Sequence, residues 1–221
     1  MKNLEEIAER AHQSFEARTQ ARDKALLQAR HLTRHAANAI RAIHRSDQAE
    51  ADEQLRRAGE IVASLNRDLA EHPDLYYTGY TQDAIKEYVE ASITVALIRN
   101  ENLPAPEALE VEYATYLNGL AEVTGELRRR CLDILRQGYS QEAERLLACM
   151  DDIYSVLVTM DYPDAITNGL RRQTDLVRGI TERTRGDLTL SIREEQLKQT
   201  ISALMDQLAR LEQKDASDPR L

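Results

Sequence analysis

Two short stretches of this chain carry the residues best suited to chemistry. One, Gln82-Asp83-Ala84-Ile85-Lys86-Glu87-Tyr88-Val89-Glu90-Ala91, holds Glu87 and Glu90; the other, Leu120-Ala121-Glu122-Val123-Thr124-Gly125-Glu126-Leu127, holds Glu122 and Glu126. Spacings of three and four put each pair on one side of a helix, about 5–6 Å apart. Two such helices could present four carboxylates to one space. Carboxylates held together repel unless they are protonated or shared with cations, and oxygen-only ligation suits Mg²⁺ or Mn²⁺. The pattern therefore predicts a divalent-metal site built from Glu87, Glu90, Glu122 and Glu126.

Helices must position these residues, because the composition offers little else. Among 221 residues there are eight Gly, five Pro and no Trp. Ala, Leu, Glu, Arg and Gln are abundant and lose little side-chain freedom in a helix, and no strand run is apparent. The length allows one domain with a real core, expected over 1–213 with a disordered tail over 214–221. Residues 2 to about 46 contain neither Gly nor Pro, which predicts one unusually long helix. At about 100° per residue, Ala25, Ala29, Leu32, Ala36, Ile40 and Ile43 share its packing side.

Further helices are expected to about 71, over 82–100 with Thr81 as N-cap, over 108–137, over 140–160, to about 185, and, after a break at Gly186-Asp187, to about 213. On the third, Ile85, Val89, Ile93 and Ala96 form an apolar face, while Glu87 and Glu90 share their side with Leu97 and Ile98. Carboxylates on a partly apolar surface need a partner. On the fourth, Tyr113, Leu117, Leu120, Leu127, Cys131 and Ile134 read as the core side. Glu122 and Glu126 fall opposite, with Thr115, Gly119, Arg129 and Asp133, on a side that becomes a site mainly if assembly encloses it.

A net charge of −9 argues against a uniformly basic nucleic-acid binder. The segment from Arg22 to Arg45 nonetheless has six Lys or Arg against one Asp. Within it Arg30, Arg34, Arg41 and Arg45 fall within about 60° of one another, opposite the packing face. This stripe is either a solvated face or a track for a phosphate backbone, with His31, Asn38 and His44 nearby. The aromatic cluster Leu75-Tyr76-Tyr77-Thr78-Gly79-Tyr80 reads as a packed connection before a base-stacking platform. Cys131 and Cys149 lack metal-ligand spacing and read as buried thiols. Neither an apolar leader nor a run of about eighteen apolar residues is present, so a soluble cytoplasmic protein without membrane contact is expected.

Four segments in order resemble the translin superfamily, specifically the translin-associated factor X proteins. They are Arg41-Ala42-Ile43-His44-Arg45; Glu87-Tyr88-Val89-Glu90-Ala91; Gly119 through Leu127; and Gly169-Leu170-Arg171-Arg172-Gln173-Thr174-Asp175 with Glu182-Arg183-Thr184-Arg185-Gly186-Asp187-Leu188. The resemblance implies an all-α, seven-helix bundle and a metal-dependent endoribonuclease. It would act on single-stranded RNA, with single-stranded DNA as a further ligand, inside a hollow homo-oligomer for which an octamer is one candidate. It makes Glu87, Glu90, Glu122 and Glu126 the catalytic Mg²⁺ or Mn²⁺ ligands, with Glu122 standing where animal members have Asp. It makes the stripe Arg30, Arg34, Arg41 and Arg45 the nucleic-acid contact, and Arg129 is a further candidate for a phosphate contact. No His is expected beside the acids as general acid. Two alternatives use the same features: a non-catalytic nucleic-acid scaffold like translin itself, and a helical Mg²⁺-dependent nucleotide pyrophosphohydrolase.

Overall fold

Forty-one residues form α1 (Leu4–His44), and the expected apolar side is the one it buries. Ala25, Ala29, Leu32, Ala36, Ile40 and Ile43 are all in the core, whereas Leu4, Ile7 and Phe15 in its first half stay exposed. The computed structural model describes the backbone of residues 3–216 and the side chains of 3–210. Asp47 ends the turn after α1 and caps α2 (Gln48–Asp68) by accepting a bond from the Glu50 amide, which supplies a partner to one of the free N–H groups of the first turn. The two helices pack antiparallel, with Gln28 of α1 bonded to Ser64 and Asp68 near the end of α2 and His35 to Gln54 near its start.

The aromatic connection is packed, as expected. α3 (Pro73–Tyr76) is a single turn, and Tyr76 and Tyr77 meet edge to face with centroids 5.1 Å apart. The cap of α4 (Gly79–Ile98) differs from expectation: Thr78, not Thr81, stands at the N-cap position. Thr81 is fully buried in the first turn, where its hydroxyl and that of Thr78 both donate to the Leu75 carbonyl. Extra hydroxyl contacts to the preceding turn thus pull the helix start back by three residues.

α4 is the centre of the bundle. Eleven of its twenty residues are buried, and α1, α2, α6 and α7 all pack on it. Ile85, Val89, Ile93 and Ala96 lie in the core as expected, joined by Ala84, Ala91 and Val95. After α5 (Pro106–Leu109) comes α6 (Tyr113–Leu135), and here the expected faces need correction. Tyr113 is exposed, its hydroxyl bonded to Glu107. Thr115, Asn118 and Gly119 are buried. The side that carries Glu122 and Glu126 is not a solvent face; it packs on α4. Gly119 is the reason the two helices come so close. A Cβ there would stand 2.7 Å from Val89 Cγ1 and 3.0 Å from the Lys86 carbonyl oxygen.

α7 (Gln141–Leu157) begins at an N-cap Ser140 and buries Ala143, Leu146, Leu147, Met150, Ile153 and Leu157. Its Arg145 donates to the Leu97 carbonyl, giving the end of α4 a partner that its own helix cannot. After α8 (Asp164–Thr167), the last two expected helices are one: α9 (Leu170–Ala216) runs for 47 residues. Gly186 does not break it, because Thr184 and Leu188 on either side are buried and Asp187 pairs with Arg128 of α6. Packing therefore overrides the weak local propensity of glycine. Beyond Leu188 the helix leaves the core, exposing Leu190, Leu197, Ile201, Leu204 and Leu208. The tail expected over 214–221 begins inside α9, and residues 217–221 lie outside the described residues. Among the described residues there are nine helices and no strand, and no helix is long and apolar enough to cross a membrane.

Candidate metal centre

The close approach of α4 and α6 places the acids. Val89 lies between Glu87 and Glu90 in sequence, and Gly119 is one turn before Glu122, so the contact that fixes the helix separation sits beside the carboxylates. One carboxylate oxygen from each of Glu87, Glu90 and Glu122 lies within 4.8 Å of the others. All three side chains are partly buried. The structure thus joins three of the four acids within one protomer, without the help of a second chain. Glu126 stands outside this group, in a pairing of its own.

The four acids differ in how their charge is met. Glu122 accepts a 2.8 Å bond from Lys86 Nζ and a longer one, 3.3 Å, from Gln173 Nε2 of α9. Glu126 faces His44, the last residue of α1: Nε2 lies 2.6 Å from Oε2, and Arg129 Nη1 is 3.6 Å from the same oxygen. The His44 bond, helped by the charges of His44 and Arg129, outweighs burial and holds the Glu126 carboxyl below the usual carboxylate range. Among the described residues neither Glu87 nor Glu90 has a salt-bridge partner. Burial, then the charge of Glu122, pushes Glu87 upward. Glu90 is pushed up to about 8, first by burial and then by Glu87, Glu122 and Glu126. For Lys86 burial works against the charge, but Glu122 more than compensates and its pKa rises.

A cation fits this donor set. Three carboxylate oxygens at that spacing, without His or Cys, are the hard ligands of Mg²⁺ or Mn²⁺, and a cation there would offset both the burial and the neighbouring acids that push Glu90 up to about 8. Arg129 is half exposed and turned to Glu126. Sequence reasoning set His44 beside the basic stripe and missed its place beside Glu126. The expectation of no His beside the acids is corrected, since its partner lies 82 residues away and no local spacing could connect them.

The basic stripe is where the first helix was expected to show it. Arg30, Arg34, Arg41 and Arg45 are all exposed, and among the described residues none forms a salt bridge; Arg41 donates to Asn38 Oδ1 at 2.5 Å. Both cysteines are free; Cys131 is buried as expected and burial pushes its thiol up to about 11, whereas Cys149 is only partly buried.

Fold and site together define an all-helical bundle whose two central helices hold a carboxylate cleft. Residues 9–183 match the Translin family, and the chain belongs to it. An uncharacterised protein of Methanocaldococcus jannaschii, MJ0175, is 35% identical over 181 residues, which is 80% of this chain and 79% of that protein. Among solved structures, AfC3PO in complex with duplex RNA is 32% identical with a TM-score of 0.77, covering 85% of this chain and 97% of its own. Apo-NeC3PO, 21% identical, shares the fold with a TM-score of 0.75 over 86% of this chain and 98% of its own.

Proposed function

We propose that this protein is a metal-dependent endoribonuclease of the translin-associated factor X type, a cytoplasmic enzyme that cuts single-stranded RNA within a hollow homo-oligomer. The observation that carries the reading is the cluster of Glu87, Glu90 and Glu122 within 4.8 Å, whose α4 members have no salt-bridge partner among the described residues. Glu87, Glu90 and Glu122 would hold Mg²⁺ or Mn²⁺, with Glu126 beside them. When bound, the ion supplies a Lewis acid that acidifies a water nucleophile and neutralises charge on the phosphodiester. The chain's residues do the rest. Burial of α4 fixes Glu87 and Glu90, Gln173 donates to Glu122 while Lys86 balances its charge until an ion takes that place, and the half-exposed Arg129 offers a guanidinium for a phosphate oxygen.

RNA as the substrate class is supported by the similarity to AfC3PO, which has been solved with duplex RNA, and by the exposed arginine stripe, without salt bridges among the described residues, which suits a phosphate backbone. Single-stranded DNA is expected to bind the same track. The test is incubation of the full-length protein with 5′-labelled single-stranded RNA, duplex RNA and DNA in Mg²⁺, Mn²⁺ or EDTA. Endonucleolytic RNA products with either metal and none in EDTA are expected. Absence of metal-dependent cleavage in every condition would sink the enzyme reading.

A scaffold reading has one observation in its favour: Glu122 and Glu126 are already paired with Lys86 and His44. It wins if Glu87→Gln/Glu90→Gln leaves any cleavage unchanged while Arg34→Glu/Arg41→Glu abolishes RNA binding.

A further inference from the structure

His44 is the last residue of α1 and one of the most enclosed polar side chains near the site, with 5% of its surface exposed. Two groups of α6, one turn apart, hold it. Glu126 Oε2 lies 2.6 Å from the ring Nε2, and Arg130 Nη1 is 3.4 Å from the His44 main-chain carbonyl oxygen. Since a carboxylate is an acceptor only, the ring proton of this bond is on Nε2. The ring Nδ1 is buried with no hydrogen-bond partner among the described residues. The side chain therefore has a single polar contact, and that contact is Glu126.

The consequence falls on Glu126. Its Oε2 is shared by His44 and Arg129, which leaves Oε1 for other partners. Its anchor also differs from that of Glu122. Lys86 and Gln173 are flexible side chains that can swing, and Lys86 is also 3.9 Å from Asp83. The His44 imidazole is enclosed, and its short ring side chain has less freedom than either. Metal-ligating side chains characteristically take such a second partner, which fixes their orientation.

We propose that His44 is a positioning residue: through its Nε2–H bond it holds Glu126 in one rotamer beside the cluster of Glu87, Glu90 and Glu122, where the Glu126 carboxylate would add its charge to theirs in holding a cation. This rests on the metal reading above. The competing account makes His44 only a strut between α1 and α6, a role that Arg130 shares.

The experiment measures Mn²⁺ binding to the full-length protein by calorimetry and by Mn²⁺ electron paramagnetic resonance, with no substrate present. His44→Leu keeps most of the bulk and deletes the donor; His44→Gln restores a donor of similar reach. His44→Leu is expected to weaken Mn²⁺ binding about 10- to 100-fold, the range for loss of a ligand's hydrogen-bonded neighbour, and His44→Gln to recover most of that loss. Arg130→Ala, which cuts the other α1–α6 contact, should leave the affinity within about twofold. Glu126→Gln preserves an acceptor for His44 while removing the ligand charge, and should weaken Mn²⁺ at least as much as His44→Leu.

Unchanged affinity in His44→Leu or in Glu126→Gln overturns the inference, as does an Arg130→Ala loss equal to that of His44→Leu. If His44→Leu does not fold, His44→Asn, whose amide ends near the Nδ1 position and does not reach Glu126, takes its place in the comparison with His44→Gln. Absence of any Mn²⁺ binding by the wild-type protein overturns the metal reading itself, a result distinct from wild-type binding that the variants leave untouched.

Discussion

The acidic pair of α4 and the acidic pair of α6 have nearly the same spacing and face each other, yet the protein treats them in opposite ways. Glu122 and Glu126 each meet a cation or donor supplied by the chain. Glu87 and Glu90 sit on the most buried helix of the bundle without such a partner among the described residues, and their carboxyls retain protons further up the pH scale. Spacing along a helix decides only which residues share a side. What faces that side decides whether the charge is structural or left for a ligand. The α6 pair belongs to the scaffold as well as the site; the α4 pair has no scaffold role that explains it.

The largest test of this contrast is Glu87→Gln/Glu90→Gln. It should abolish Mn²⁺ binding and RNA cleavage, a loss beyond the roughly 10- to 100-fold of a change outside the ligand shell. In EDTA at pH 8.5 the same variant should melt a few degrees above wild type, because it removes uncompensated buried charge. Glu122→Gln should melt lower, because it leaves Lys86 without its partner. Equal shifts of one sign in the two thermal midpoints would break the contrast.

A second test uses pH. An unfolded Glu releases its proton near 4.5, whereas folded Glu90 keeps it up to about 8. Between those values the folded state binds more protons, so this group's contribution to stability falls as pH rises. In EDTA the melting temperature of wild type relative to Glu90→Gln should therefore decline from about pH 5, level off above about 8, and recover with saturating Mn²⁺. Glu126 has the opposite sign. Its folded carboxyl is lowered, so its stabilisation is present above the unfolded value and lost as pH falls through the folded one. Glu126→Gln should match wild type in acid and be less stable at neutral pH.

The smallest expected effect is that of Lys86→Met. Removing a cation that competes for Glu122 should strengthen Mn²⁺ binding several-fold in calorimetry. The metal-free protein should melt slightly lower, as for the loss of one partly exposed ion pair of about 1 kcal/mol or less.

Much of this was legible in the residues. The apolar side of α1 followed from its 3.6-residue period, and the partly apolar surroundings of Glu87 and Glu90 already demanded a partner. What the chain order hid was long-range. α6 looked two-sided, with Thr115 and Gly119 grouped among polar residues, because a missing side chain gives no sign of the helix pressed against it. Gly186 looked like a stop, because the Asp187–Arg128 pair that carries α9 onward joins residues far apart in sequence. His44 was noticed as a possible contact of the basic stripe, but its Glu126 partner emerges only from the fold, which packs α1 on α4 and so brings its end to α6.

Gly119 also bears on which ion the cleft can take. By letting Val89 come within what would be 2.7 Å of a Cβ, it sets the gap that the carboxylates of α4 and α6 must span. Mg²⁺ demands oxygens at about 2.0–2.1 Å in near-octahedral order, whereas Ca²⁺ accepts about 2.3–2.6 Å and a looser shell. One methyl group at this position would wedge the helices apart and shift the cleft toward the larger ion. For the proposed cation the residue with no side chain would thus be the gauge, and ionic radius would be selected by the distance between two backbones as much as by the glutamates themselves.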